Sequence, residues 1–139
     1  MAVIQPYVFF DGKCDEAIAF YKKAIGAEVQ MLMRYKDSPE GECAGGVKHP
    51  PDKVMHASLT VGDSTVMVSD GNCTGKPTFS GIALSLDGKD DAQTEKLYNA
   101  LADGGTPFVP LMKTFFASKF GMLTDRFGVT WMVLTKMDR

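Results

Sequence analysis

The sequence predicts an α+β fold made of two βαβββ modules, and three observations predict it. The first is a repeat. Val3 to Val29 (VIQPYVFFDGKCDEAIAFYKKAIGAEV) is an extended apolar run, an Asp-Gly-Lys turn, a helical pattern, a glycine stop and a second extended run. From Phe79 the same parts return in the same order. Asp11-Gly12-Lys13 answers Asp87-Gly88-Lys89, Phe20-Tyr21 answers Leu97-Tyr98, and Gly26 answers Gly104 or Gly105. The second observation is two-faced alternation in the leading strand of each copy. Ile4, Pro6, Val8 and Phe10 form one apolar face, and Val3, Gln5, Tyr7 and Phe9 a mixed one. Ile82, Leu84 and Leu86 oppose Phe79, Gly81, Ala83 and Ser85 in the same way. The third is the tally along the chain, which is strand–helix–strand–strand–strand, twice. A covering helix explains one face of each leading strand, and a second surface must explain the other.

The first helix starts at Asp11 or Cys14. Cys14, Ala17, Ile18, Tyr21 and Ile25 fall on one stripe. Asp15 and Glu16 sit in its first turn and Lys22 and Lys23 in its last, as the helix dipole prefers, and Gly26 supplies the stop. Glu28 to Tyr35 reads as a strand whose Met31-Leu32-Met33 run hides its faces. Lys36 to Lys53 is a polar, turn-rich loop, either a lid or an excursion. Val54 to Val61 and Ser64 to Asp70 are strands joined at Gly62-Asp63, and Gly71 to Lys76 is the joint to the second module. There Asp90 or Asp91 caps a helix with Leu97, Ala100, Leu101 and Gly104 on one side. Thr106 to Thr114 is an edge or bulged strand, because it contains Pro107 and Pro110. Lys119 to Thr124 and Val129 to Thr135 form a hairpin around Asp125-Arg126-Phe127-Gly128.

A chain of 139 residues builds one domain, 1–139, with modules at 1–70 and 77–139. Its net charge of −2 and pI near 5.6 argue against a nucleic-acid partner. No apolar run approaches the roughly 20 residues that span a bilayer, and the N-terminus lacks the pattern of a signal peptide. Three cysteines, Cys14, Cys43 and Cys73, without metal-type spacing fit a reduced cytoplasm.

Several motifs carry a family likeness: Pro6-Tyr7-Val8-Phe9-Phe10, Ala17-Ile18-Ala19-Phe20-Tyr21, Val54-Met55-His56-Ala57, and the run Phe120-Gly121-Met122-Leu123-Thr124-Asp125-Arg126-Phe127-Gly128-Val129-Thr130-Trp131-Met132. With them the chain resembles, nearly end to end, the vicinal-oxygen-chelate superfamily of glyoxalase I, extradiol dioxygenases and bleomycin-resistance proteins. The likeness is closest to its PhnB-like branch, often labelled 3-demethylubiquinone-9 3-methyltransferase. The resemblance implies half-barrel sheets around a cleft, helices outside, and a homodimer. Metalloenzymes of the superfamily place His, Gln or Glu at positions that fall here on Gln5, Met67, Gly81 and Met132. Only Gln5 suits a hard divalent ion, so no metal, no cofactor and no glyoxalase or dioxygenase chemistry is expected. The methyltransferase label has no support from a glycine-rich strand-to-helix turn followed by an acidic residue.

The expected ligand-binding residues are Gln5, Tyr7, Phe9, His56, Met67, Ser69, Phe79, Phe115 and Met132. Most share the cleft-side parity and form a soft wall suited to a flat ligand; Phe115, beside Phe116, closes the cleft mouth or meets a partner. His56 shares a face with Ser58 and Thr60, where an imidazole serves as a general base, a ligand-binding group or a plain hydrogen-bonded residue. His49 is expected to be solvated, Cys14 to be inert although near a helix N-terminus, and Trp131 to pack beneath a helix. Three functional readings result. One is metal-independent binding of a small, partly apolar organic molecule. Another is an enzyme using His56 or Gln5 as polar catalytic groups. The third is a structural or regulatory homodimer with a vestigial cavity.

Overall fold

Charge and glycine placement set the ends of both helices. In α1 (Cys14–Ile25) the acidic and basic turns lie as the dipole requires, and Gly26, at φ 70°, donates its N–H to the Tyr21 carbonyl. The helix begins at Cys14; Asp11 belongs to the preceding turn, at φ 53°. Lys13 provides no side-chain cap. A carboxylate from a distant strand does so, since Asp70 accepts from the Gly12 and Cys14 N–H groups at 3.0 and 2.7 Å. α2 (Asp91–Ala102) is capped locally: Asp90 accepts from the Gln93 N–H at 2.8 Å and the Gln93 side chain accepts from the Lys89 N–H at 2.7 Å.

In this computed structural model residues 2–38, 49–71 and 78–137 are described. The chain divides into two units, 1–77 and 78–139. Unit 1 holds β1 (Tyr7–Phe9), α1, β2 (Glu28–Arg34), a short 3-10 turn (Tyr35–Asp37), β3 (Val54–Val61) and β4 (Ser64–Ser69). Unit 2 holds β5 (Leu84–Asp87), α2, β6 (Thr106–Met112), β7 (Ala117–Thr124) and β8 (Thr130–Lys136). Each unit forms an open four-stranded mixed sheet, in the orders β1-β4-β3-β2 and β5-β8-β7-β6. In both, the first strand runs parallel to the last and the other pairs are antiparallel. The α+β, twice-βαβββ reading therefore holds, down to equivalent strand orders. Cys43 and the tip of the Lys36–Lys53 loop, 39–48, lie outside the described residues. So do Cys73 and most of the Gly71–Lys76 joint.

The leading strands are shorter than their apolar patterns. Val8 and Phe10 are buried as parity requires, but Pro6 is exposed and Ile4 is 98% exposed. The reason is local. Pro6 has no N–H, and the bond from the Met67 N–H to the Pro6 carbonyl, at 3.0 Å, is its last contribution to the ladder. In unit 2 Gly81 sits at φ 74°, outside extended geometry, so β5 begins only at Leu84. Ile82 is exposed rather than helix-covered, and Leu84 and Leu86 are half-buried. Phe79 consequently precedes the strand on which its parity was reckoned.

The buried face of α2 is Thr94, Tyr98 and Leu101, not the Leu97–Ala100–Leu101–Gly104 side. An apolar pattern cannot report Thr94, which is buried because its hydroxyl meets that of Thr135 at 2.6 Å. Tyr98 lies over Gly121, where a Cβ would stand 2.6 Å from the ring, and its hydroxyl donates to the Val109 carbonyl at 2.9 Å. β6 is both an edge strand and bulged, with two register shifts, as its prolines require.

The β7–β8 hairpin turns on Asp125, which is buried. Its carboxylate accepts from the Phe127 N–H at 2.9 Å, the Val129 N–H at 3.1 Å and the Trp131 indole N–H at 2.8 Å. Trp131 is itself buried, in register with Leu84 and Leu123 beneath the helix. Arg126 reaches back to the Asp103 carbonyl at 3.1 Å and closes the C-terminal end of α2. Asp125→Ala leaves three donors without their acceptor, each costing about 1–3 kcal/mol. The expected loss is about 3 kcal/mol or more by urea unfolding, against about 1 kcal/mol or less for the exposed Arg126→Ala. Equal losses would show that the hairpin does not depend on the buried carboxylate.

Candidate functional site

In unit 1, α1 packs against β3, and Val8, Phe10, Ala57, Leu59 and Val68 are buried on the covered side of the sheet. The uncovered side carries polar, aromatic and thioether groups. One row across the sheet reads Tyr7, Met67, Ser58, Met31, from the pairs Tyr7↔Met67, Ser58↔Met67 and Met31↔Ser58. Beside it Phe9 pairs with Ser69 and Met33 with His56.

Tyr7 and His56 meet over the intervening β4, with the phenol oxygen 2.7 Å from His56 Nδ1 and ring centroids 5.4 Å apart. Partial burial, chiefly, pushes the Tyr7 phenol above its ordinary range, so it is protonated at neutral pH. Nδ1 is thus engaged whichever group donates, and Nε2 is left for another partner. Phe9 stacks on Tyr7 at 4.8 Å and 12°, and the two rings are 53% and 39% exposed. A pair of partly exposed aromatics beside an imidazole and three methionines can grip a flat, partly apolar molecule and give it one hydrogen bond.

The structure brings Tyr7, Phe9, His56 and Met67 to one face. Ser69 shares their strand register but is buried, with its hydroxyl accepting from the Gly71 N–H at 3.0 Å. Gln5 is exposed and precedes β1. In unit 2, Met132 is half-buried and pairs with Ser85 and Met122, on the side opposite Trp131. Phe79 lies by Gly128 of the hairpin, and Phe115 is 94% exposed, edge-on to Phe116 at 5.2 Å.

Sequence reasoning missed Gln30, Met31 and Met33. A bulge between Val29 and Met31 turns both methionines onto the Ser58–His56 side, and Gln30 donates to the Thr60 hydroxyl at 3.0 Å. An uninterrupted register from Val29↔Leu59 would have put Met31 on the covered side, so alternation could not find them. His49, expected to be solvated, is instead 7% exposed and stacked on Tyr35 at 4.0 Å and 3°. Tyr35 is held in turn by its hydroxyl's bond to the Gly71 carbonyl at 3.0 Å. Cys14 is fully buried, and burial, followed by the Asp70 and Asp15 carboxylates, drives its thiol far above the ordinary range. That opposes the thiolate a nucleophile needs.

The positions that the resemblance assigns to metal ligands do not fit a hard divalent ion here. Gly81 offers no side chain, Met67 and Met132 offer thioethers, and Gln5 stands in solvent. Among the described residues no group of three or more His, Cys, Asp or Glu comes together.

His56→Ala removes a half-buried group with one hydrogen bond, whereas Leu59→Ala empties a covered site on the same strand. The expected costs are about 1 kcal/mol or less and about 2–5 kcal/mol respectively, read from denaturant midpoints. Comparable losses would place His56 in the core.

Comparison with known proteins gives a consistent picture. The family model described as 3-demethylubiquinone-9 3-methyltransferase matches residues 2–134. The structure of protein PA1353 from Pseudomonas aeruginosa is similar, at 40% identity and a TM-score of 0.83 over 99% of this chain and 100% of that one. Protein YjdN of Escherichia coli (strain K12) is 32% identical over 136 residues, 94% of this chain and 92% of its own. A glyoxylase/bleomycin resistance protein/dioxygenase domain from Frankia is alike in fold, with a TM-score of 0.63 at 14% identity over 99% of this chain and 97% of that one.

Proposed function

We infer, because this chain belongs to the 3-demethylubiquinone-9 3-methyltransferase family and turns the Tyr7–His56 pair outward on an uncovered sheet face, that it binds a small, partly apolar organic molecule there. The observation that carries the reading is the hydrogen-bonded pair itself, at 2.7 Å, set among the exposed ring of Phe9 and the thioethers of Met31, Met33 and Met67. Isolated apolar residues on a surface are ordinary, but a contiguous set around an oriented imidazole marks a recognition site. Stacking on Phe9 and Tyr7 supplies affinity, and His56 Nε2 fixes orientation through one hydrogen bond. No divalent metal and no cofactor takes part.

Met132, Phe79 and Phe115 of unit 2 remain proposed ligand-binding residues on the family resemblance alone. Catalysis by His56 is the competing reading, favoured only by Nε2, which has no hydrogen-bond partner among the described residues; turnover of a bound compound, lost in His56→Ala, would establish it. A thermal-shift screen of metabolites and antibiotics tests the binding reading. Stabilising compounds are expected, with affinity falling about tenfold or more in His56→Ala and in Phe9→Ser. Hits indifferent to both substitutions would move the site elsewhere, and a screen without hits would leave the vestigial-cavity reading.

A homodimer in a reduced, cytoplasmic setting completes the proposal. β1, β2, β5 and β6 are edge strands, and Val3, Ile4, Ile82 and Phe115 are exposed apolar residues near strand ends. Among the described residues no helix is long and apolar enough to cross a membrane. Light scattering at micromolar concentration should return twice the 15.1 kDa chain mass; the single mass would refute the dimer.

A further inference from the structure

A neutral imidazole carries one ring proton, and the nitrogen that holds it decides what His56 can recognise. Nδ1 lies 2.7 Å from the Tyr7 phenol oxygen. Hydroxyl donors bond at about 2.7–2.8 Å, whereas N–H donors to oxygen centre on about 2.9–3.0 Å. The short separation therefore fits the phenol as donor and Nδ1 as acceptor. The Ser69 side chain bears on the same oxygen. Its hydrogen bond lowers the Tyr7 pKa against the larger effect of burial, the direction expected when a hydroxyl donates to the phenol. The Val54 carbonyl, the other acceptor near the Ser69 hydroxyl, is 3.4 Å away, beyond the usual hydroxyl range. Tyr7 thus receives a proton from Ser69 and sends its own to Nδ1. The imidazole proton is then on Nε2, and the face offers an incoming molecule an N–H donor.

The surrounding charges narrow the ligand further. Arg34 is engaged with Asp15, Lys36 with Asp52, and Lys53 with the Gly12 carbonyl. Anions are received best by charged or paired donors, and a lone neutral N–H suits an uncharged acceptor. Met33, which pairs with His56, ends in a thioether and supplies no second donor. The near-parallel rings of Phe9 and Tyr7, 4.8 Å apart and partly exposed, call for a planar partner.

We propose that the ligand of this face is a planar, uncharged molecule whose carbonyl oxygen accepts from His56 Nε2–H, with Tyr7 as the positioning residue that fixes this tautomer. This ligand class rests on the organic-ligand reading and narrows it.

NMR of the ring nitrogens in the full chain, with isotope-labelled histidine, reads the tautomer directly, and only two histidines need assigning. Above the pH at which His56 titrates, its proton is expected on Nε2, with Nδ1 bare. Tyr7→Phe should turn the ring into a mixture of both tautomers. A proton on Nδ1 in the unsubstituted protein overturns the proposal.

Three bicyclic probes of similar size then read the ligand class: indanone offers a carbonyl acceptor, indole an N–H donor, and indane neither. Indanone is expected to shift the His56 Nε2 resonance, and indane to shift Phe9 while leaving Nε2 in place. His56→Ala should weaken indanone about tenfold and the other two by far less. Indole shifting Nε2 as indanone does, or equal losses for indanone and indane in His56→Ala, overturns the acceptor class and leaves the organic-ligand reading standing. No probe disturbing Phe9, Tyr7 or His56 at millimolar concentration overturns both. The tautomer and the Nε2 shifts are read on the unsubstituted chain, so they decide even if a variant fails to fold.

Discussion

Unit 1 depends on one buried carboxylate. Asp70 has no exposed surface and accepts from the backbone N–H groups of Gly12, Cys14 and Val54 at 3.0, 2.7 and 2.7 Å. Burying an ion without partners would cost several kcal/mol, so the site persists only because three donors converge on it. Those donors belong to the turn after β1, the first turn of α1 and the first residue of β3, while Asp70 directly follows β4. One side chain thus joins three stretches of chain that are well separated in sequence, 12–14, 54 and 70. Lys53 adds a bond to the Gly12 carbonyl at 2.8 Å, and Arg34 ties the end of β2 to Asp15 of α1 at 2.9 Å. The register that brings Tyr7, Met67 and Ser58 into one row is a consequence, because a one-residue slip of β1 or β3 would break these bonds and reverse every face.

Unit 2 repeats the topology and not the chemistry. Its helix is capped by its own Asp90, and the contact between helix and last strand is a pair of threonine hydroxyls. Its buried carboxylate, Asp125, lies instead in the hairpin between the last two strands. The strand order recurs in both units, and that order determines which surfaces are covered. The polar clamps differ because any acceptor that satisfies the local N–H groups suffices. The histidine and the stacked exposed aromatic pair lie in unit 1.

Much of this was legible in the sequence, and what was not has identifiable causes. The boundaries of β3, the face of Trp131, the stripe of α1 and the edge position of β6 follow from periodicity and from proline placement. The lengths of β1 and β5 did not, since apolar residues continue past Pro6 and Gly81 while the hydrogen-bond ladder does not. The buried face of α2 was misread because half its anchoring is polar. Met31 and Met33 were missed for a different reason. A single bulge changes the parity of a strand, and no apolar pattern marks where the extra residue sits. Buried His49 belongs to the same class, its place being set by a stack on Tyr35 that joins residues 14 apart by sequence number.

The uncovered face also explains why unit 1 can tolerate such a surface. Its stability rests on the covered side, on Phe10, Val54, Ala57, Leu59 and Val68, and on the Asp70 clamp. Tyr7, Phe9, Met31 and His56 contribute little to that side, so their identities are free to serve recognition. Leaving two aromatic rings and a methionine partly in water forgoes burial worth about 25 cal/mol per Å² of apolar area. A chain selected for stability alone would replace them with polar residues, as strand faces in contact with water usually do. Their position beside an imidazole whose one nitrogen is already oriented by a tyrosine is therefore the feature on which the proposed binding rests.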